Sequence, residues 1–265
     1  MLVTRVITGL VLGVAVTAAI LLLPTGQAAA LLALLWLAGA WEWAGLARLG
    51  NRARLAYTAG LLLLMLAASG PVTWSAFDVV LGVALAAWGV ALVGVLTFPR
   101  RIPAAWVLVA GPIALLPAWL VLKTIHGAAA QGPALALMAL VLVWAADIGA
   151  YAVGRRLGRL KLAPKVSPGK TWEGVSGGVL LTLVAAWVGA RWLDLELWPF
   201  LFVAMCTGLV SVVGDLTVSM LKRNVGLKDS GRLLPGHGGV MDRIDGLIAA
   251  VPVYAAGLRL MGVLA

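Results

Sequence analysis

Charge is what this chain has least of. Only 11% of its 265 residues are Asp, Glu, Lys or Arg, against 63% hydrophobic residues and a mean hydropathy of +1.05. A water-soluble domain of this length needs far more polar surface, so such a domain is excluded and most of the outer face must meet lipid. Acidic residues are scarcer than basic ones, 10 against 20. The resulting net charge of +10 would suit nucleic acid, but the basic residues lie in short stretches between apolar runs. There they set orientation and attract anionic head groups, which excludes nucleic acid as the partner. A single cysteine, Cys206, rules out an internal disulfide and reads as a small core residue in an apolar run. No period of roughly 20–50 residues repeats, so neither a solenoid nor a duplicated transporter is visible.

What is present is a succession of apolar runs. A helix needs roughly 20 apolar residues to cross a bilayer. Nine runs qualify, at about 5–23, 28–47, 56–70, 78–97, 105–123, 133–153, 174–192, 198–218 and 244–263, the third being short. The first is too long for the core of a typical signal peptide and reads as a retained span. The expected fold is all-α: a polytopic integral membrane protein of about nine transmembrane helices with two cytoplasmic active-site loops. It forms a single membrane domain over 1–265. Residues 1–132 supply scaffold spans facing lipid, and residues 133–265 supply the spans and loops that carry the polar chemistry. Most Trp residues precede Asp147 or flank the ends of apolar runs, as interfacial anchoring allows.

The segments between runs alternate in charge. Arg5, then Arg48, Arg52 and Arg54, then Arg100 and Arg101 fall on one side. Arg155, Arg156, Arg159, Lys161, Lys165 and Lys170 join them, as do Lys222, Arg223, Lys228, Arg232 and Arg243. The other side has Lys123 and Arg191 near run ends and almost nothing else, with Arg259 inside the last run. The positive-inside rule places the N-terminus and every basic segment in the cytoplasm, and nine spans place the C-terminus outside. Two long polar segments, about 154–173 and 219–243, each follow an intramembrane acid, and together they imply one shared cytoplasmic site.

In VVGDLTVSMLKR, Ser219 lies four residues after Asp215, and Lys222 and Arg223 follow at seven and eight, so all share a helix face. Basic residues at a helix end also snorkel without function, a reading equally open for Lys222 and Arg223 taken alone. An unpaired carboxylate in lipid costs several kcal/mol, so Asp215 faces a polar interior and a cation. The following NVGLKDSGRLLPGHGGVMDRID is too rich in glycine for a stable helix. Gly236, Gly238 and Gly239 let backbone amides approach an anion, and Lys228 and Arg232 add charge; an ordinary turn fits the glycines equally well. His237 suits a packed loop position as readily as a ligand contact. Asp242 and Asp245, three apart, share a face at a helix start, where the dipole favours acids. Together with Asp215 they are hard oxygen ligands of the kind Mg2+ takes beside phosphates.

The other polar segment reads DIGAYAVGRRLGRLKLAPKVSPGKTWEG. Asp147 near the end of the sixth run marks a functional depth. Lys165, Ser167, Lys170 and Thr171 are phosphate-type ligands, although orientation accounts for the lysines as well. GKT at Gly169–Thr171 is not a Walker A site, because Pro164 stands where the first glycine belongs and no strand is expected before it. Glu173 serves either as a site residue or as an acid at a helix start. Glu42, in AWEWAGL, pairs with a basic residue or touches a lipid substrate, and the sequence leaves both open.

These residues resemble the bacterial phosphatidate cytidylyltransferases, the CDP-diacylglycerol synthases. The signature is matched at Ser219, Lys222, Arg223, Lys228, Asp229, Pro235, His237, Gly238, Gly239, Asp242, Arg243 and Asp245. KLAPKVSPGKTWEG and Asp147–Gly154 also look like the family, whereas the first 140 or so residues match only in hydropathy. The resemblance implies CTP and phosphatidic acid as substrates, CDP-diacylglycerol and pyrophosphate as products, and Mg2+, with room for a second cation. It implies a metal centre on Asp215 and Asp242, which the residues themselves extend to Asp245, and a homodimer. Catalysis then falls to Asp215, Asp242, Asp245, Lys222 and Arg223. Substrate binding falls to Lys165, Ser167, Lys170, Thr171, Glu173, Ser219, Lys228, Asp229, His237, Gly238, Gly239, Arg243 and Asp147. A transporter is the rival class, but it would spread polar residues through several spans, and here they cluster at one end. A related CTP-dependent enzyme acting on another lipid is the second rival.

Overall fold

The computed structural model describes residues 2–128, 131–231, 233 and 238–264, without the side chains of residues 2–8 and 10. Nine α-helices account for nearly all of it. They are α1 (Leu2–Leu22), α2 (Thr25–Leu46), α3 (Asn51–Ala67), α4 (Trp74–Thr97), α5 (Ala104–Gly127), α6 (Gly132–Leu157), α7 (Trp172–Trp192), α8 (Leu197–Asn224) and α9 (Met241–Leu260). Each apolar run of the sequence has become one helix. Six of them, α2 and α4 to α8, are long and apolar enough to cross a membrane. α3 has only 17 residues, and α9 carries Asp242, Arg243, Asp245 and Arg259. The all-α membrane class therefore stands, with six helices of spanning length and composition among the described residues.

The helices run alternately between two ends. At one end Lys123 of α5 reaches the carbonyls of Ala68 and Gly70 after α3, at 3.3 and 2.9 Å, and also that of Ser69. His126 bonds Thr25 and Ile20 between α1 and α2. Arg259 of α9 meets Asp78 of α4 at 2.8 Å. At the opposite end Asn224 exchanges two 2.9 Å bonds with Ile102, and Arg223 donates to the carbonyl of Val166. The basic segments around residues 48, 101, 165 and 228 all collect at this second end, as the alternation of charge requires.

The 154–173 segment is not a plain loop. α6 continues to Leu157, and an antiparallel hairpin follows, β1 (Lys161–Ala163) and β2 (Ser167–Thr171), paired Lys161 to Thr171 and Ala163 to Ser167. A strand therefore does precede GKT, contrary to expectation. Yet GKT lies within β2 rather than in a phosphate loop, so the exclusion of a Walker A site holds on geometry. Likewise α8 runs on to Asn224, carrying Ser219, Lys222 and Arg223 out of the apolar layer on one continuous helix.

α9 is the central post. Ile248, Ala249, Ala250 and Val251 have no exposed surface, and the helix packs against α2, α4, α5, α6 and α8. Burial without a hydrophobic drive between helices depends on close approach. A Cβ on Gly214 would stand 2.1 Å from the carbonyl oxygen of Asp245, so only glycine lets α8 and α9 touch there. α6 and α7 meet in the same way, through Gly149 and Gly177. The outward faces carry Val79, Val90 and Leu96 of α4 and Phe202 of α8, exposed as lipid-facing residues must be. Several tryptophans depart from the interfacial expectation. Trp36, Trp43 and Trp119 are buried and donate their indole N–H to carbonyls of Leu115, Val107 and Ala29. They pin α2 and α5 together, since a buried indole must find an acceptor.

Candidate active site

The C-terminal half of α8 presents a polar stripe because Asp215, Ser219 and Lys222 recur at helical spacing. Ser219 Oγ donates to Asp215 Oδ1 at 3.2 Å. Asp215 Oδ2 meets Lys170 Nζ of β2 at 2.6 Å. Lys222 Nζ meets Asp242 Oδ1 at the start of α9, also at 2.6 Å. Arg223 leaves the stripe: its Nε donates to Val166 in the hairpin and its Nη1 to the carbonyl of Leu227. Two ion pairs and one guanidinium thus tie both polar segments to a single helix, which brings together the halves that the sequence separates.

Around Asp215 the structure gathers further charge. Asp147 of α6 lies within electrostatic reach of Asp215, Lys170 and Arg243. Asp245 of α9 lies within reach of Asp215, Lys170 and Asp147 and accepts the amide of Gly246 at 2.8 Å. Asp147 is open to the surface and Asp245 is buried. Asp242 stands in a second group. Beyond Lys222 it accepts the amides of Ser230 at 3.1 Å and Gly239 at 3.3 Å through Oδ2.

Two observations bear on a metal. The donors are hard carboxylate oxygens, which suit Mg2+ in kind. As they stand, Asp215 and Asp242 face lysine ammonium groups in separate pairs, and among the described residues no three His, Cys, Asp or Glu side chains form a ligand set. An ion on Asp215 Oδ2 or Asp242 Oδ1 takes the place of the ammonium group that each oxygen faces here.

Other candidates take more local roles. Thr171 is buried and accepts the Gly174 amide as the N-cap of α7. Glu173 accepts the amide of Leu160 with both oxygens, at 3.1 and 3.2 Å, closing the base of the hairpin. The Gly239 amide points at Asp242, so it is engaged by the protein's own carboxylate rather than held open for a phosphate. Gly238 takes φ +80°, a left-handed conformation suited to glycine. Lys165, Lys228 and Asp229 are exposed on this end, and Ser167 is half-buried on β2. His237, with Arg232, Pro235 and Gly236, lies outside the described residues.

Among the described residues Glu42 makes no ion pair with a basic side chain. It is 2% exposed, and its carboxylate accepts the hydroxyl of Ser230 at 2.8 Å and the amides of Val240 at 3.1 Å and Met241 at 2.8 Å. Ser230 was missed altogether. The only signal for this pair was one acid between Trp41 and Trp43 in a 22-residue apolar helix.

The description of the cytidylyltransferase family matches residues 3–261 of the chain. The chain is 45% identical over 233 residues to the phosphatidate cytidylyltransferase of Pseudomonas aeruginosa, covering 84% of each. It is 51% identical over 131 residues to that of Haemophilus influenzae, covering 47% of this chain and 46% of that protein. Against that of Staphylococcus epidermidis the identity is 43% over 119 residues, covering 44% and 46%.

Proposed function

This chain belongs to the cytidylyltransferase family, and from that membership we propose the reaction and the part each residue plays in it. The enzyme transfers a cytidylyl group from CTP to phosphatidic acid, giving CDP-diacylglycerol and pyrophosphate for phospholipid synthesis. The observation that carries the assignment of residues is the pair of lysine–carboxylate bridges, Lys170–Asp215 and Lys222–Asp242, joining β2, α8 and α9 at the basic end of the bundle. Two polyanionic substrates need cationic groups, and carboxylates alone would repel them. Lysine is suited to exchange, since a single flexible ammonium can leave a carboxylate for a phosphate without breaking a bidentate geometry.

A phosphate oxygen of phosphatidic acid attacks the α-phosphorus of CTP in line, and the bond to the pyrophosphate oxygen breaks. The lipid phosphate is already ionised, so no protein nucleophile is required, and positioning with charge stabilisation carries the rate. Lys170 and Lys222 turn from their carboxylates to the phosphates. Arg223, Lys228 and Arg243 add positive charge against the departing pyrophosphate, with Lys165 and Ser167 on the hairpin side. Thr171 and Glu173 support the hairpin rather than bind. The carboxylates of Asp215, Asp242 and Asp245 then become available to Mg2+, with Asp147 nearby. Mg2+ supplies neutralisation of phosphate charge when bound.

The basic end faces the cytoplasm of the bacterial inner membrane, where CTP is, and the C-terminus lies outside. The gathering of arginine and lysine at that end supports this orientation. The active form is a homodimer, a reading supported by the family resemblance. The test is an assay of purified protein with labelled CTP and a panel of lipid phosphates and alcohols, with products identified by mass. Pyrophosphate release with phosphatidic acid alone is expected. Equal turnover of another lipid, or none of phosphatidic acid, overturns the reading.

A further inference from the structure

We infer that Glu42, far outside the signature segments, is a positioning residue of the active site that acts on Asp242 through Ser230. The inference rests on the reaction proposed above. α9 begins without a cap of its own, because its N-cap residue is Val240, which has no side-chain acceptor. The first amides of a helix are orphans that need one, and they favour an anion. Glu42 supplies it from α2, accepting the Val240 and Met241 amides. The same carboxylate accepts the Ser230 hydroxyl, while the Ser230 amide donates to Asp242 Oδ2. Asp242 Oδ1 receives Lys222. An unbroken chain therefore runs Glu42, Ser230, Asp242, Lys222, ending on an ion pair of the site.

The anchor is rigid and shaped for this purpose. α2 is fixed to α5 by the Trp36 and Trp43 indoles, on either side of Glu42 along the helix. The backbone closes round the carboxylate so tightly that a Cβ on Gly231 would lie 2.1 Å from Oε1, and one on Gly239 2.3 Å from Oε2. Gly239, read from sequence as part of a phosphate nest, and Gly231, which was not, both allow the approach of a protein carboxylate. A buried acid that accepts three protein donors, and has no ion pair among the described residues, spends its charge on geometry. Loss of such outer hydrogen bonds typically costs about 10–100-fold in activity.

Glu42→Gln keeps the volume but offers one acceptor oxygen and places an amide N–H2 against donors. In purified protein, kcat per folded molecule is expected to fall about 10–100-fold, with KM for phosphatidic acid unchanged. Hydrogen exchange at the Val240 and Met241 amides is expected to quicken about tenfold or more while the core of α8 stays protected. Adding Ser230→Ala to Glu42→Gln should cost little further, because both break one chain. Ser230→Ala alone, which removes one hydroxyl, gives a smaller kcat loss and carries the test if Glu42→Gln does not fold. Unchanged exchange, or faster exchange with wild-type kcat per folded molecule, overturns the inference. A wild-type enzyme that makes no CDP-diacylglycerol instead overturns the proposed reaction, and the exchange measurement still decides whether Glu42 moors the segment.

Discussion

The two ends of the helix bundle use charge in opposite ways. At the end away from the basic segments Arg259, Lys123 and His126 are closed on the protein itself. Arg259 grips both oxygens of Asp78, at 3.0 and 2.8 Å, and stacks over Trp74 with 4.8 Å to the ring centroid. Lys123 covers the carbonyls that end α3, and both ring nitrogens of His126 are occupied. At the basic end the two ion pairs are single-point: one ammonium to one carboxylate oxygen in Lys170–Asp215, and again in Lys222–Asp242. Arg48, Arg101, Lys165 and Lys228 stay exposed there. Bidentate and carbonyl-saturated groups hold helices in place, whereas single-point pairs can be traded for a substrate. The contrast separates charge saturated by the protein from charge held by one contact.

The comparison breaks if the basic-end pairs are merely structural. Asp242→Asn is the severest trial, with activity expected to fall about 100–1,000-fold, as for loss of a central electrostatic group. Membrane insertion and elution as a folded species should persist. Near-normal turnover would remove Asp242 from the chemistry. Lys170→Ala comes next: we expect KM for CTP to rise about tenfold, with a smaller change in KM for phosphatidic acid, measured by titrating each substrate. If both stay at wild-type values, Lys170 only staples the hairpin to α8. Arg259→Ala should have the smallest effect on catalysis, leaving turnover per folded molecule unchanged while lowering the thermal midpoint. A loss of turnover at constant stability would show that the far end is coupled to the site, and the distinction between the ends would fail.

Much of this was legible because membrane helices announce themselves. Each run of about twenty apolar residues became a helix, since the backbone in lipid must satisfy its own hydrogen bonds. The charge alternation also held, bringing the basic segments to one end. The hairpin was not legible. KLAPKVSPGKT has too few β-branched residues to signal strands, and its pairing is fixed from outside by Glu173 on the Leu160 amide and by Lys170 on Asp215. The cap was not legible at Thr171 either, because caps and phosphate sites use the same hydroxyl and only the structure shows it buried against Gly174. The carboxylates Asp215, Asp242 and Asp245 were read as one set. In the structure they divide into a group around Lys170 and a group around Lys222, a division that depends on which side chain a lysine reaches.

Sequence alone determined the all-α membrane class, the polar segments and the family, because composition, apolar run length and fixed motif spacing are local properties of the chain. Tertiary structure alone decided how the charged groups pair and what Glu42 does. Its acceptors meet the backbone amides of residues almost two hundred positions away. Every residue but proline carries such an amide, so nothing in the sequence could mark these as its partners.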